Sequence, residues 1–194
     1  MIKSQDRSGW FGASDIGYIV GNWETKSFER WWLVKLGLSK SNFATLAMMA
    51  GTHYEHKILD SLGLDLQKDK QVKIRRYGLR VNLDGNTQNS IYEVKTYKRE
   101  NGFKLTRNYV WQVCVQMFAT GLRRAYIVAY GLDEEDYYNY YNPIDPARLS
   151  YHKIEYDAQF IDTEFLPRVK YLKKCLRKGV WPSEVDYQKT AISA

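Results

Sequence analysis

Asp84, Glu93 and Lys95 are the residues whose types and spacing fit a defined chemistry. Leu83-Asp84-Gly85 is followed by Ile91-Tyr92-Glu93-Val94-Lys95, which reads as two strands of a hairpin. Both carboxylates then project from neighbouring strands toward one point, where they can hold a divalent cation. Glu93 and Lys95 alternate with Val94, so the two-residue period of a strand puts both on one face. Metal-dependent hydrolysis of a phosphodiester needs such a set: acidic oxygens for Mg²⁺ and an ammonium beside the attacking water or the phosphate. The competing reading is a solvated hairpin whose Glu93 and Lys95 form a surface ion pair worth about 0–1 kcal/mol.

The elements that must position these groups alternate between helix and strand. Ala13 to Val20 reads as a short helix capped by Ser14, with Asp15 in its first turn. Ser27 caps a second helix through Lys35, with Phe28, Trp31, Trp32 and Lys35 as its apolar stripe. Ala44 to Leu62 reads as a longer helix ended by Gly63. On it Met48, Gly51, Glu55 and Leu59 recur at three to four residues, which turns Glu55 inward, an expensive place for an acid. Gln71 to Tyr77, Leu79 to Leu83 and Ser90 to Thr96 are strand-like. Tyr109 to Thr120 is helical and stopped by Gly121. Ala125 to Tyr130 is an apolar strand covered on both faces, and Tyr151 to Tyr156 a further strand. Asp157 or Asp162 opens a final helix to about Lys178. The expected fold class is α/β, with a mixed sheet flanked by helices.

Composition sets bounds on partners. The 194 residues suit one domain, 1–194, and 44% hydrophobic residues is an ordinary globular content. A formal charge of +7 favours a polyanionic partner. Cys114 and Cys175 are the two cysteines, too few for a disulfide framework or a four-cysteine metal site from one chain. The opening Met1 to Arg7 lacks the apolar core of a signal peptide, and no long apolar run follows, so the expectation is a cytoplasmic protein without a membrane role.

Four segments combine into a larger pattern: Arg7-Ser8-Gly9-Trp10-Phe11-Gly12-Ala13-Ser14-Asp15-Ile16-Gly17, then Gly51-Thr52-His53-Tyr54-Glu55, then the hairpin, then Tyr109 through Gly121. In this order and spacing, from about Arg7 to Tyr130, the chain resembles the phage-type alkaline exonucleases, the lambda exonuclease and YqaJ recombinase family of the PD-(D/E)XK fold. The resemblance implies a phage or prophage enzyme acting in a bacterial host. It would degrade one strand of linear double-stranded DNA from the 5′ end with Mg²⁺, leaving 3′ tails for a recombinase or annealing protein. It also implies two metal ions, with Mn²⁺ able to substitute, and a ring-shaped homotrimer. Asp84, Glu93, Glu55 and the carbonyl of Val94 match the family's metal ligands, and Lys95 matches its active-site lysine. Arg7 and Ser14 match positions that bind the terminal 5′-phosphate. Gln112 matches a glutamine beside the site. Where the family often has a second glutamine this chain has Cys114, with Gln116 one turn from Gln112, so either amide is a candidate for contact with DNA or water.

Other residues carry two readings. Trp10 lies before Ser14 and is a candidate DNA contact, whereas Trp23, Trp31, Trp32 and Trp111 read as core. His53 fits a helix surface better than a metal, since oxygen ligands suit Mg²⁺. Arg75-Arg76, Arg123-Arg124 and the stripe Lys170, Lys173, Lys174, Arg177 and Lys178 are solvated faces or phosphate contacts. The rival functions are an endonuclease of the same fold, a RecB-type repair nuclease, and a catalytically silent DNA-binding protein.

Overall fold

Apolar stripes and helix caps account for most element boundaries in the computed structural model, which describes residues 7–40 and 45–192. In chain order the elements are α1 (Ile16–Ile19), α2 (Lys26–Lys35), α3 (Leu46–Ser61), β1 (Gln67–Ile74), β2 (Leu79–Asn86), β3 (Ile91–Lys98), α4 (Arg107–Thr120), β4 (Ala125–Leu132), β5 (Leu149–Ile154), α5 (Leu166–Lys178) and α6 (Glu184–Ile192). The strands form one sheet in the order β1-β2-β3-β4-β5. β2–β3 and β4–β5 are antiparallel, whereas β3–β4 is parallel because α4 carries the chain across between them. Among the described residues no helix is long and apolar enough to cross a membrane. The expected helix start at Ala44 and the segment Met1 to Asp6 lie outside the described residues.

The chain packs as two compact units, each assembled from separate stretches: 1–41, 72–81 and 157–194 in the first, 42–71 and 82–156 in the second. β1 and β2 each run from one unit into the other.

In the first unit, aromatic side chains make the core. Phe11, Trp23, Phe28, Trp31 and Trp32 are buried, and Trp23 stacks on Tyr171 with ring centroids 5.5 Å apart. α2 buries Phe28, Trp31, Trp32 and Lys35, the stripe its spacing implies. Its cap is Thr25, not Ser27, with Thr25 Oγ1 accepting from the Phe28 N–H. The Ala13 to Val20 stretch also differs from expectation. It is a single 3₁₀ turn, Ala13–Asp15, followed by the four-residue α1. Ser14 is exposed and caps nothing; Asp15 is buried and accepts from Gly12 N (2.7 Å), Trp31 Nε1 (2.9 Å) and Lys35 Nζ (2.6 Å). Burial disfavours the Lys35 ammonium strongly enough to lower its pKa despite Asp15. α6, which the sequence reading did not anticipate, is tied to α5 by Arg168 gripping both oxygens of Glu184 at 2.9 and 3.2 Å.

In the second unit, α3 packs on one face of β3 and β4. Ala50, Tyr54, Ile58 and Leu59 meet Val94, Val128, Tyr130 and Leu132. The buried stripe of α3 is thus rotated from the expected one: Met48 is 56% exposed, and Glu55 sits half-buried at the edge. Because side chains alternate along β3, Val94 faces α3 while Glu93 and Lys95 face α4. Thr106 caps α4, with Oγ1 accepting from Tyr109 N, and Gly121 ends it in the left-handed conformation (φ 78°). Trp111 lies in this unit rather than with the other tryptophans, half-exposed under the Arg107 guanidinium at 4.7 Å. Beyond β4, Asp136 fixes the 133–148 loop, receiving Tyr54, Asn142 and Arg148.

Candidate active site

Strand geometry delivers the first two acids. Register pairs Gly85 with Tyr92 across β2 and β3, which brings Asp84 level with Glu93. The Asp84 carboxylate accepts the Val94 N–H at 2.8 Å, locking its side chain onto the neighbouring strand. Gly85 lies in close approach to α3: a Cβ there would lie 2.9 Å from Leu59 Cδ2, so that side chain would have to shift.

Glu93 is the hub. It is 3% exposed, and its Oε1 accepts from Lys95 Nζ at 2.6 Å and from the Gln112 amide. Its Oε2 accepts from the Gln116 amide. Gln112 closes the ring by accepting from Lys95 Nζ at 3.2 Å. Gln112 and Gln116 are one helical turn apart, so α4 presents both amides to one carboxylate. Cys114 points elsewhere, its thiol near the Glu155 carbonyl at 3.6 Å. Gln116 is 1% exposed and spends its amide on Glu93 and on the Asn82 carbonyl. It faces the carboxylate rather than any surface DNA can reach, and the expectation of a DNA contact there gives way to one of support.

The electrostatics show acids gathered without full compensation. Burial, then the charges of Glu93 and Glu55, push the Asp84 carboxyl well above its ordinary range, although Lys95 and the Val94 N–H oppose this. Burial and Glu93 likewise raise Glu55, with Asp69 adding, against His56 and Lys95. Glu55 therefore lies within electrostatic reach of the hairpin acids. Burial works against the Lys95 ammonium, but Glu93, Asp84 and Tyr109 outweigh it and raise its pKa. Nζ also sits 5.1 Å from the Tyr109 ring centre, a neighbour with no warning in the sequence pattern.

Glu55 has a second set of neighbours that sequence reasoning missed. Among the described residues, Glu55, His56 and Asp69 form the one group of three acidic, imidazole or thiol side chains with ligand atoms all within 4.8 Å of one another. His56 Nε2 and Asp69 Oδ2 are 3.1 Å apart. Asp84 and Glu93 are not in that tight group. Asp69 lies in a polar strand whose pattern gave no signal. His53 is exposed and stacked on Tyr140, centroids 4.1 Å apart, as a helix-surface residue.

The residues expected to hold a 5′-phosphate all belong to the first unit. Arg7 and Ser14 are exposed, and Trp10 is half-exposed with Lys73 Nζ 5.8 Å from its ring. Ser14 stands on a single short turn, and the Gly12 N–H before it is already taken by Asp15.

The donor set fits a hard divalent cation. Three carboxylates against one ammonium leave net negative charge, which adds to burial in raising Asp84 and Glu55 and which a cation would relieve.

The site thus stands on a mixed five-stranded sheet flanked by helices, with acids on adjacent strands and a lysine two residues on. No protein-family model matches the chain, and no curated protein matches it significantly in sequence. Solved structures do match. The alkaline exonuclease LHK-Exo from Laribacter hongkongensis superimposes with a TM-score of 0.69 at 20% identity, covering 97% of this chain and 96% of its own. LHK-Exo in complex with dAMP gives the same TM-score at 19% identity and the same coverage. A phage-related exonuclease from Haemophilus somnus 129PT gives 0.60 at 15% identity, covering 95% of each chain. The chain has the fold of these exonucleases over nearly its whole length.

Proposed function

We propose that this chain is a metal-dependent exonuclease that degrades one strand of linear double-stranded DNA from its 5′ end. The observation that carries the reading is the Glu93 carboxylate, shared among Lys95, Gln112 and Gln116 beside an Asp84 whose carboxyl is raised. Asp84, Glu93, Glu55 and the Val94 carbonyl would hold Mg²⁺, or Mn²⁺ in its place, two ions per site. Bound metal would supply charge stabilisation for the attacking and leaving oxygens. Lys95 would orient or deprotonate the attacking water beside the scissile phosphate. Gln112 and Gln116 hold Glu93 in place, and Arg7 and Ser14, with Trp10, receive the 5′-phosphorylated end. A guanidinium suits a phosphate through paired N–H bonds. The exonuclease names of the structural neighbours, one of them bound to a deoxynucleoside monophosphate, support the same reading. The 3′ tails left behind would serve a recombinase or annealing protein in a phage-infected or lysogenic bacterial cytoplasm, with a homotrimeric ring as the working form.

The test uses linear duplexes with and without a 5′-phosphate and a closed circle, each incubated with Mg²⁺ and then with chelator. Progressive shortening of one strand, faster from phosphorylated ends and with the circle intact, is expected. Cutting of the circle would make it an endonuclease. Absence of cleavage in Mg²⁺ and in Mn²⁺ would make it a silent binder.

A further inference from the structure

Positive charge is divided unevenly along this chain. The stretches of the first unit carry 17 Lys and Arg against 9 Asp and Glu, those of the second 12 against 13. The surplus behind the +7 therefore belongs to the first unit, whereas the acids of the candidate active site belong to the second.

Within the first unit two basic segments are fastened into one face. The turn between β1 and β2 exposes Arg75 and Arg76, and the outer row of α5 exposes Lys170, Lys174 and Arg177. Lys173 joins them, its Nζ donating to the Arg75 carbonyl at 2.8 Å and the Arg76 carbonyl at 2.9 Å. Its aliphatic stem lies over Gly78, where an added Cβ would come within 3.6–3.8 Å of it. Arg76 covers the Tyr77 ring at 4.5 Å, and Lys170 Nζ is 6.0 Å from the same ring.

Pairing separates these cations from half of the twelve in the second unit. Lys68, Lys95, Lys98, Arg99, Arg148 and Lys153 each lie within ion-pair distance of a carboxylate. Among the described residues, Arg75, Arg76, Lys170, Lys174 and Arg177 pair with none. Like charges held together by a lysine strut, without acids between them, repel one another until a polyanion covers them. On α5 the row Lys170, Lys174, Arg177 spans about 10 Å of helix, over which one strand of a duplex presents roughly three phosphates.

We propose that the Arg75–Arg76 turn and the outer row of α5 form a sequence-independent binding face for the phosphate backbone of double-stranded DNA. The choice of DNA among polyanions rests on the nuclease reading; the face itself does not. Phosphate contacts release counterions, so they are read in the salt dependence of binding, at about 0.9 log units of slope per contact.

The test compares the wild-type chain with the triple variant Arg75→Gln/Arg76→Gln/Lys174→Gln, all exposed positions, on a labelled duplex in chelator across a salt series. The expected result is a log–log salt slope smaller by about 2–3 and an affinity at low salt down by roughly tenfold or more. A control triple, Lys68→Gln/Lys98→Gln/Lys153→Gln, removes equal charge from the second unit and keeps the wild-type slope. Wild-type binding by the first triple, or an equal loss in the control, overturns the proposal. So does loss of poly(glutamate) binding with duplex binding intact, which would point to an acidic protein partner. Duplex binding through this face by a protein that never cuts DNA would sink the nuclease reading and leave the face standing. Cleavage together with unaltered duplex binding by the first triple would do the reverse.

Discussion

Gln116 and Glu93 meet inside the second unit, the amide of one donating to the carboxylate of the other with neither exposed by more than 3%. The Gln116 Oε1 is itself buried with no hydrogen-bond partner. An amide kept at that cost, facing a carboxylate, has its value in fixing the carboxylate. Gln116→Leu preserves volume and removes the donor. It should lower kcat roughly 10–100-fold and raise the Mg²⁺ needed for half-maximal rate, with KM for DNA little changed. Steady-state kinetics over a Mg²⁺ series check this, and an unaltered kcat in a folded variant would refute it.

Asp84 makes metal-free stability depend on pH. A carboxyl raised in the folded state stabilises fully below its unfolded pKa, about 3.9, and that contribution is lost as pH rises through the raised value. Without metal, wild type should therefore melt lower at pH 8 than at pH 5 relative to Asp84→Asn. The variant gains roughly 2–4 °C at pH 8 for each kcal/mol of repulsion relieved. Mg²⁺ should raise the wild-type Tm and leave the variant's nearly unmoved. Thermal melts across pH decide this, and parallel curves would count against it.

Lys95→Met should reduce cleavage by at least about 100-fold while the folded state persists. Asp84→Ala should abolish it. Circular dichroism together with a gel assay of strand shortening separates lost chemistry from lost structure.

Arg7→Ala should cost the preference for 5′-phosphorylated ends and little else, since Arg7 is exposed. The expected change is about tenfold in KM on phosphorylated duplex, with rates on unphosphorylated ends unchanged. Competition between the two substrates in one tube measures it directly.

Lys35→Met should destabilise the chain by about 3–5 kcal/mol, because it leaves the buried Asp15 without its ammonium. Adding Asp15→Asn to that variant should recover part of the loss. Urea unfolding of the single and double variants supplies the numbers.

Local signals carried much of the fold. Gly121 after an amphipathic run marked the end of α4, and the apolar run Ala125 to Tyr130 marked the interior strand β4, because both are read from adjacent residues. Caps were less legible: Thr25 and Ser27 are both good caps, and it is Thr25 whose Oγ1 receives the Phe28 N–H. Ser14 looked like the cap of the Ala13 to Val20 stretch, but Asp15 turns inward and takes Gly12, Trp31 and Lys35 together. No spacing within eleven residues could announce a partner twenty residues away. The hairpin acids were legible for the opposite reason, since β2 and β3 are joined by a short turn. His56 and Asp69 beside Glu55 join a helix to a polar strand edge, and period alone does not encode that neighbourhood.

The chain crosses between its two units at four points, 41/42, 71/72, 81/82 and 156/157. Neither unit is a continuous piece of polypeptide, so a single protease nick releases neither. Trimming the gene from the 3′ end strips α5 and α6 from the first unit before it reaches the last residue of the second. Ribosomal order has the same consequence: the second unit is fully synthesised while the first still awaits its last stretch, so the acids can assemble before the aromatic core closes.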